Sequence, residues 1–329
     1  MSKTLETALT KALPTAALAV WMLAPCHGQS LLHRYSFNGN ANDSVGTAHG
    51  AVVGSVSIVP AWGANGTAIF TGGTSSSGPG YIRLPVTAVS GLQNATIEIF
   101  TANFSTPLDV YGQAGGYFQA LFSVAGAYGS LTNYSILSPN RSGAGIGLGT
   151  RSDGAAENVI VSPDPLPVSY GNHVVHLVFS GFGGIGATGV AAVYLDGVKV
   201  AQGATVYSFA KVAAGAGGIS VVGIGGGSPF NDPTFRGSMS EVRIYNGALN
   251  AAQIAANVAM GPGALGFTPP YTLAEAARAA QIAGGVGAAA TSWEKTRLNV
   301  EIGGGSATAI DLLDALRIAR RATGLESNP

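Results

Sequence analysis

The feature that most constrains this chain is a succession of short strand-like runs between residues 31 and 258, separated by glycine, proline and asparagine. In the run at 237–246, Ser240, Val242 and Ile244 alternate with a second set of side chains, which is the period of a strand with one buried face. Many such runs without an intervening helical pattern predict an all-β antiparallel sandwich of two sheets. Besides 237–246, the runs are "LLHRYSF" (31–37), "GAVVGSVSIV" (50–59), "YIRLP" (81–85), "ATIEIFTAN" (95–103), "QALFSVA" (119–125), "NYSIL" (133–137), "NHVVHLVFS" (172–180), "GVAAVYLDGVKVAQ" (189–202) and "ISVVGIG" (219–225).

The charge content narrows the classes of function. Charged residues make up 10% of the chain, against a usual level of about 25%. Lysine plus arginine equals aspartate plus glutamate, so no basic field attracts nucleic acid or anionic lipid. A hydrophobic content of 47% is ample for a core, so the low charge does not indicate disorder.

The N-terminal segment has the pattern of a targeting signal. Lys3 and Lys11 precede an apolar run at 12–24, which is shorter than the roughly 20 residues that cross a bilayer. We interpret residues 1–28 as a secretory signal peptide that also removes Cys26, the one cysteine, and a buried N-terminal helix is the alternative. This interpretation predicts a secreted, extracellular protein of bacterial type, either free or associated with the cell surface, with no transmembrane segment.

The strand at 237–246 is followed by a turn and a short Ala-rich helix. Asn250 is placed to cap the helix, and Gln253 three residues later can reach back to it, as in a capping box. Leu249 and Ile254 have the spacing of a hydrophobic staple across the same helix start. The pattern predicts that the strand-rich domain closes with this helix near residue 260.

The composition changes after a Gly/Pro linker at 261–270, and residues 271–329 form an Ala-rich tail. The segments 272–283 and 308–319 align at an offset of 36 residues. Polar residues spaced by three fall on one stripe of each segment, which predicts two amphipathic helices that pack on each other. The identical pairs are Thr272/Thr308, Ala279/Ala315, Ile282/Ile318 and Ala283/Ala319.

The strand-rich part resembles laminin G-like, concanavalin A-like jelly-roll domains. The resemblance rests on "LLHRYSFNGNANDSVG" as the first strand and its Asn/Asp loop, on "WGANGTAIFTGG" with "YIRLP", on "ATIEIFTAN", on the Asp-Gly hairpin "GVAAVYLDGVKVAQG" and on the closing "GSMSEVRIYNGALNAAQI". It covers residues 29–260 and implies a concanavalin A-like jelly roll with a small C-terminal α-helical module.

The tail, residues 271–329, resembles dockerin modules, which contain two copies of a loop and a helix. The calcium loops of dockerins depend on oxygen ligands at fixed positions. With Asp311 at the last of these positions, Val300, Ile302 and Gly304 stand at the first three, so the loops depart from the pattern. The resemblance implies a partner for the tail, a cohesin-like or surface protein.

Catalytic groups are sparse in the sequence. Related folds include glucanases with alternating acids on one strand, but Glu98 has no second acid on its face, and neither has Glu241. His173 and His176 lie three apart in a strand and so point to opposite faces, which does not suit one zinc ion. We therefore predict no catalytic residue, and lean towards a protein that is not an enzyme.

A structural calcium ion is implied by the laminin G-like resemblance, which places one between the first loop and the final strand. Asn42 and Asp43 in that loop, with Glu241 on the strand, are the ligands that match, and otherwise no cofactor is expected. Ser240 stands where the family often has an acid. Asp43 as the cap of a turn is the alternative.

Aromatic residues in loop-like segments are the candidates for stacking on sugar rings. They are Tyr111, Tyr117, Tyr128, Phe182 and Phe230, and the Gly-rich segment 106–119 is the most site-like of the loops. The sequence thus predicts a secreted, non-catalytic binding module that recognises a polysaccharide or an extracellular protein. The alternatives are a glycoside hydrolase or lyase on the same fold, and a purely structural cell-surface protein.

Overall fold

The computed structural model describes residues 29–60, 65–73, 80–102, 117–141, 143–167, 172–266, 271, 273–286, 289–290, 295, 298, 310 and 312–323. Its strands are β1 (Ser30–Tyr35), β2 (Ala51–Gly54), β3 (Val56–Val59), β4 (Thr67–Gly73), β5 (Gly80–Leu84), β6 (Ala95–Ala102), β7 (Phe122–Ala125), β8 (Tyr134–Arg141), β9 (Gly145–Arg151), β10 (Asn158–Val161), β11 (Asn172–Ser180), β12 (Gly189–Leu195), β13 (Val198–Thr205), β14 (Val221–Ile224) and β15 (Thr234–Asn246). The helices are α1 (Phe209–Ala214), α2 (Ala251–Met260), α3 (Leu273–Ala283) and α4 (Leu312–Ala322), with a short 3₁₀ turn at Val86–Ala88.

Two antiparallel sheets form a sandwich, which confirms the predicted fold class. The first sheet has the order β13-β12-β11-β6-β15-β4-β3, with β1 also paired to β15, and the second has the order β10-β9-β8-β7-β14-β5-β2. The large apolar side chains between the sheets form one buried cluster that includes Ile97, Leu137, Leu148 and Val242. Because strand residues alternate between faces, the neighbours of these core residues lie on the outer faces of the sheets.

The run at 50–59 is two strands and not one. Gly54, at φ +69°, ends β2, and β3 begins two residues later in the opposite sheet. A positive φ is accessible to glycine at little cost, so this residue lets the chain cross from one sheet to the other. The short helix α1 was also not expected, because the sequence predicted strands alone in this part of the chain. Ser208 caps the N-terminus of α1, where its side chain accepts a hydrogen bond from the Lys211 amide.

The strand β15 carries an irregularity that changes which side chains share a face. Its register against β6 shifts between Met239 and Glu241, so that Ser240 is the extra residue. Met239 therefore lies in the core with Val242, while Glu241 and Arg243 lie on the outer face. Simple alternation along this run, which groups Met239 with Glu241, is wrong at this point.

The helix α2 begins as the sequence predicts. Asn250 accepts from the Gln253 amide at 3.0 Å and the Gln253 side chain accepts from the Asn250 amide at 2.9 Å, a complete capping box. Leu249 and Ile254 lie in one buried cluster with Tyr245 of β15. The helix thus packs on the outer face of the first sheet.

The helices α3 and α4 of the tail pack on each other. Ala279 and Ile282 of α3 share a buried cluster with Ala315 and Ile318 of α4. These are the positions that are identical between the two copies of the repeat, so the predicted helix pairing uses the repeated residues themselves.

Candidate functional site

A pocket of about 370 Å³ opens on the outer face of the second sheet. Tyr134 and Ile136 of β8 line it from the outer face, because side chains alternate along a strand and the next residue, Leu137, belongs to the core cluster. A volume of this size lies in the range of small-molecule binding sites. The lining residues are Phe118, Tyr134, Ile136, Arg141, Arg151, Glu157, Phe230 and Asp232.

Glycine in β9 creates the space for one of the pocket arginines. Gly149 lies opposite Ile136 on the outer face, and a Cβ atom there would stand 2.3 Å from the Arg141 guanidinium carbon. The absence of a side chain therefore allows the Arg141 guanidinium to lie against the strand. The core-facing residues of the same strand, Ile146 and Leu148, are large and buried.

The acid Glu157 is held by two pocket residues. Arg141 donates from Nη2 to Glu157 Oε1, and the Tyr134 hydroxyl donates to the same oxygen at 2.9 Å. Burial and the nearby charge of Glu157 raise the pKa of Tyr134 to about 12. The Tyr134 hydroxyl is therefore a neutral donor throughout the physiological range, and its orientation is fixed by Glu157.

The second acid, Asp232, lies in the loop between β14 and β15. Burial raises its pKa above the usual aspartate value, and the charge of Glu157 acts in the same direction. The hydroxyl of Ser228 donates to Asp232 Oδ2 at 2.7 Å and, with the charge of Arg141, opposes this rise only in part. Both acids of the pocket are thus coupled to Arg141.

Aromatic rings contact guanidinium groups and one another in this pocket. The Arg141 guanidinium carbon lies 5.6 Å from the centre of the Phe118 ring, and that of Arg151 lies 5.8 Å from the centre of the Tyr134 ring. Phe230 meets Tyr134 edge-on at a centroid distance of 5.0 Å. The pocket therefore presents apolar ring surface next to oriented hydrogen-bond donors and acceptors.

The predicted sugar-binding aromatics are scattered over the molecule. Phe230 lines the pocket, whereas Phe182 is buried in the core against Phe179 and cannot stack on a ligand at the surface. Tyr128 is 64% exposed in the loop after β7, and Tyr117 is half-buried beside Phe118. Tyr111, with most of segment 106–119, lies outside the described residues.

Glu98 and Glu241, the strand acids considered for catalysis, belong to a buried charge network on the outer face of the first sheet. Arg243 donates to Glu98 at 2.8 Å and to Glu241, and His176 is 2.7 Å from Glu98. Burial alone would raise the pKa of Glu98, but the hydrogen bond and charge of His176 and the charge of Arg243 hold it below its usual value. The helix α2 and residues 261–266 cover this network, so neither acid is open to a substrate.

Asp43, one of the residues predicted to bind calcium, accepts hydrogen bonds from the protein itself. Asp43 Oδ1 accepts from the amides of Arg34, Val45 and Gly46, and its Oδ2 accepts from Ala48 N and pairs with His33 Nδ1. Burial would raise the pKa of Asp43, but these hydrogen bonds lower it overall.

Glu241 faces an arginine where the resemblance places an ion. Arg34 donates in a two-pronged pair to the Glu241 oxygens at 2.9 and 3.0 Å, and Gly263 N donates at 2.9 Å. Asn42 is exposed. These oxygens already accept from N–H donors, and within the described part of the chain no cluster of three metal-ligating side chains occurs, so the donor set does not fit a calcium ion.

Comparison with known proteins agrees with this architecture. A laminin G family model, described as the concanavalin A-like lectin/glucanases superfamily, matches residues 76–255, and the chain belongs to this family. Domain 4 of AbnA, a GH43 extracellular arabinanase from Geobacillus stearothermophilus solved in complex with arabinotriose, is similar in fold, with 20% identity and a TM-score of 0.52 over 69% of this chain and 98% of that one. The CBM40 of the Ruminococcus gnavus IT-sialidase, bound to α2,6-sialyllactose, gives 19% identity and a TM-score of 0.43 over 57% and 94%. A search of curated proteins finds no match.

Among the residues that the structure describes, no helix is long and apolar enough to cross a membrane. Sequence reasoning missed the pocket residues Arg141, Arg151 and Glu157. The segment "GIGLGTR" could have indicated them, because glycine alternates there with core residues. The outer face of the strand therefore has no side chains between Arg141 and Arg151.

Proposed function

We propose that this protein binds carbohydrate in the pocket on the second sheet. The observation that carries the proposal is the combination of ring surface from Tyr134 and Phe230 with the fixed polar groups of Arg141 and Glu157 in one cavity. Sugars present apolar ring faces surrounded by hydroxyl groups, so a site for them needs both aromatic surface and oriented donors and acceptors.

The fold supports this proposal. The similar domain of the arabinanase was solved with arabinotriose, and it is a domain of an extracellular enzyme. By this likeness the partner of our protein is a polysaccharide and its location is outside the cell, in line with the signal-like pattern of residues 1–28. The tail would add a second contact, to a cohesin-like or other surface partner.

The test is a glycan array followed by titration calorimetry on the full chain. We expect Phe230→Ala to weaken the binding of the selected glycan at least tenfold, because the ring that closes one side of the pocket is lost. Ile69→Ala, an exposed apolar position on the first sheet, is the matched control and should leave affinity unchanged. Equal affinity of Phe230→Ala and the wild type would contradict the proposal.

A hydrolase is the second candidate, favoured by the presence of two carboxyl groups, Glu157 and Asp232, in one pocket. Asp232 has the raised pKa of a general acid. Glu157, however, is already held by Arg141 and Tyr134. Release of reducing sugar from a bound polysaccharide, lost in Asp232→Asn, would establish this candidate, and binding without turnover would support the binding module.

A further inference from the structure

The arginines of the pocket differ in how their charges are compensated. Arg141 forms an ion pair with Glu157 and also lies within electrostatic range of Asp232. Arg151 has no ion-pair partner among the described residues. Among the described residues, one arginine of the pocket is thus in an ion pair with an acid, and the other is in none.

The surroundings of Arg151 hold it in place without neutralising it. It ends β9 opposite Tyr134, its guanidinium lies over the Tyr134 ring, and Nη2 donates to the carbonyl of Gly154 at 2.8 Å. Its Nε is buried and has no hydrogen-bond acceptor. A buried N–H without an acceptor costs free energy, and a positive charge that is partly removed from water adds to this cost.

An anionic group on the ligand would compensate the charge of Arg151, which pairs with no acid among the described residues. A carboxylate matches the planar arrangement of the guanidinium N–H groups and forms charge-assisted hydrogen bonds that are stronger than those between neutral groups. A neutral hydroxyl could accept a hydrogen bond from the guanidinium, but it would leave the charge uncompensated. The two acids of the pocket oppose an anion less than their number suggests, because Glu157 is paired with Arg141 and Asp232 holds its proton more firmly than a free aspartate.

We propose that the pocket selects sugars that carry a carboxylate, a uronic acid or a nonulosonic acid, with the carboxylate on Arg151 and the sugar ring next to Tyr134 and Phe230. This inference rests on the proposed carbohydrate binding and names the class of glycan. The aromatic groups supply affinity for any sugar ring, and Arg151 supplies the selection between acidic and neutral sugars.

The experiment compares matched glycans on the full chain by titration calorimetry. The pairs are trigalacturonate against its methyl ester, 3′-sialyllactose against lactose, and arabinotriose as a further neutral sugar. We expect one acidic sugar to bind at least tenfold more tightly than its neutral counterpart, and this preference to decrease when salt is raised from 50 to 500 mM. The two acidic arms distinguish a uronic from a nonulosonic ligand.

Variants at Arg151 give a second measurement. Arg151→Gln should reduce the ratio of acidic to neutral affinity at least fivefold, and Arg151→Lys, which keeps the charge, should restore part of it. Arg83→Gln on β5, an exposed arginine outside the pocket, is the control and should keep the ratio. If Arg151→Gln does not fold, the methyl-ester and salt comparisons on the wild type remain decisive.

The outcomes separate this inference from the proposed function. Equal affinity for acidic and neutral sugars overturns the selection by Arg151 and leaves carbohydrate binding intact. Failure of the folded protein to bind any sugar on an array that includes both classes overturns the carbohydrate proposal itself. A preference for acidic sugars that persists in Arg151→Gln also overturns the role of this residue.

Discussion

Asp232 and Glu241 are both carboxyl groups removed from water, and their environments move their pKa values in opposite directions. Among the described residues, the Ser228 hydroxyl is the hydrogen-bond donor to Asp232, and burial outweighs it and the charge of Arg141, so the pKa is raised. Glu241 is buried as well, but the charges and hydrogen bonds of Arg243 and Arg34 outweigh the burial and lower its pKa. The first is therefore a cost to stability at neutral pH, and the second contributes stability there.

The contrast predicts a pH-dependent effect of Asp232→Asn. The folded pKa of Asp232 is above the unfolded value. The wild type therefore loses stability as the pH rises from the unfolded pKa through the folded pKa, and it recovers this stability as the pH falls. The amide carries no charge at any pH, so the variant should unfold about 1–3 °C higher at pH 7. The difference should shrink as the pH falls from 7 to 4. Thermal unfolding followed by circular dichroism measures it, and a difference that grows on acidification would refute the assignment.

Glu98 and Glu241 give the opposite pH dependence. Their folded pKa values are lowered, so the stability that they contribute is present above about pH 4.5 and is lost as the pH falls through the folded values. Loss of the network at low pH would also release residues 261–266, since Gly263 N donates to Glu241 and the carbonyl of Ala264 accepts from Arg243.

At the scale of secondary-structure elements, β9 determines the shape of the pocket. Its inward residues Ile146 and Leu148 fix it to the core, while Gly149 on its outer face leaves room for Arg141. The strand thus separates stability, carried by one face, from the geometry of the pocket, carried by the other.

This separation predicts that Gly149→Ala changes binding more than stability. The added methyl would overlap the end of the flexible Arg141 side chain, which must move away and loses its position beside Glu157. We expect glycan affinity to fall at least fivefold, with the midpoint of urea unfolding almost unchanged.

Gly183→Ala is the matched control for Gly149→Ala. A Cβ at Gly183 meets no atom within 4 Å, and this residue has no positive φ, so the control should keep both affinity and stability. Equal glycan affinities for the two variants would show that the position of Arg141 does not matter for binding.

The elements that the sequence predicts well are those with a recognisable residue pattern. In β15 apolar core residues alternate with polar ones from Glu241 onwards, β11 is a run of mostly apolar β-branched and aromatic residues, and α2 has its capping box, so all three were expected. The strand β9 was missed because its outer face carries glycine, so its core residues do not alternate with polar side chains. The helix α1 was missed because its six residues are too few for a helical period.

The pocket could not be read from the sequence for a different reason. Tyr134, Arg141, Glu157 and Asp232 come from separate parts of the chain and meet only through strand pairing and one loop. Of the aromatics expected to bind sugar, Phe230 alone lines this pocket within the described residues. Hydrophobic pattern specifies the sandwich, whereas the site depends on which residues the outer face brings together.

At the scale of the whole molecule, the first strand is joined to the last strand, and the loop after the first strand is held by its own hydrogen bonds. Arg34 joins β1 to Glu241 of β15, and Asp43 binds the amides of its own loop. These groups occupy the positions that the resemblance gives to calcium ligands.

This arrangement predicts a stability that does not depend on calcium. The thermal midpoint of the full chain should change by less than about 1 °C between excess EDTA and excess calcium chloride, because the oxygens of Asp43 and Glu241 are already satisfied by N–H donors. Differential scanning calorimetry at a fixed ionic strength is the measurement, with magnesium chloride as the control for non-specific ion effects. A calcium-specific rise of several degrees would contradict the arrangement and support an ion site.

The tail has a property that follows from its repeat. Ala279 and Ile282 of α3 lie in the same cluster as Ala315 and Ile318 of α4, and each pair is related by the same offset in the chain. A surface that packs against a copy of itself is self-complementary, as in the isologous interfaces of two-fold dimers. The tail thus builds within one polypeptide the kind of interface that symmetric dimers form between two separate molecules.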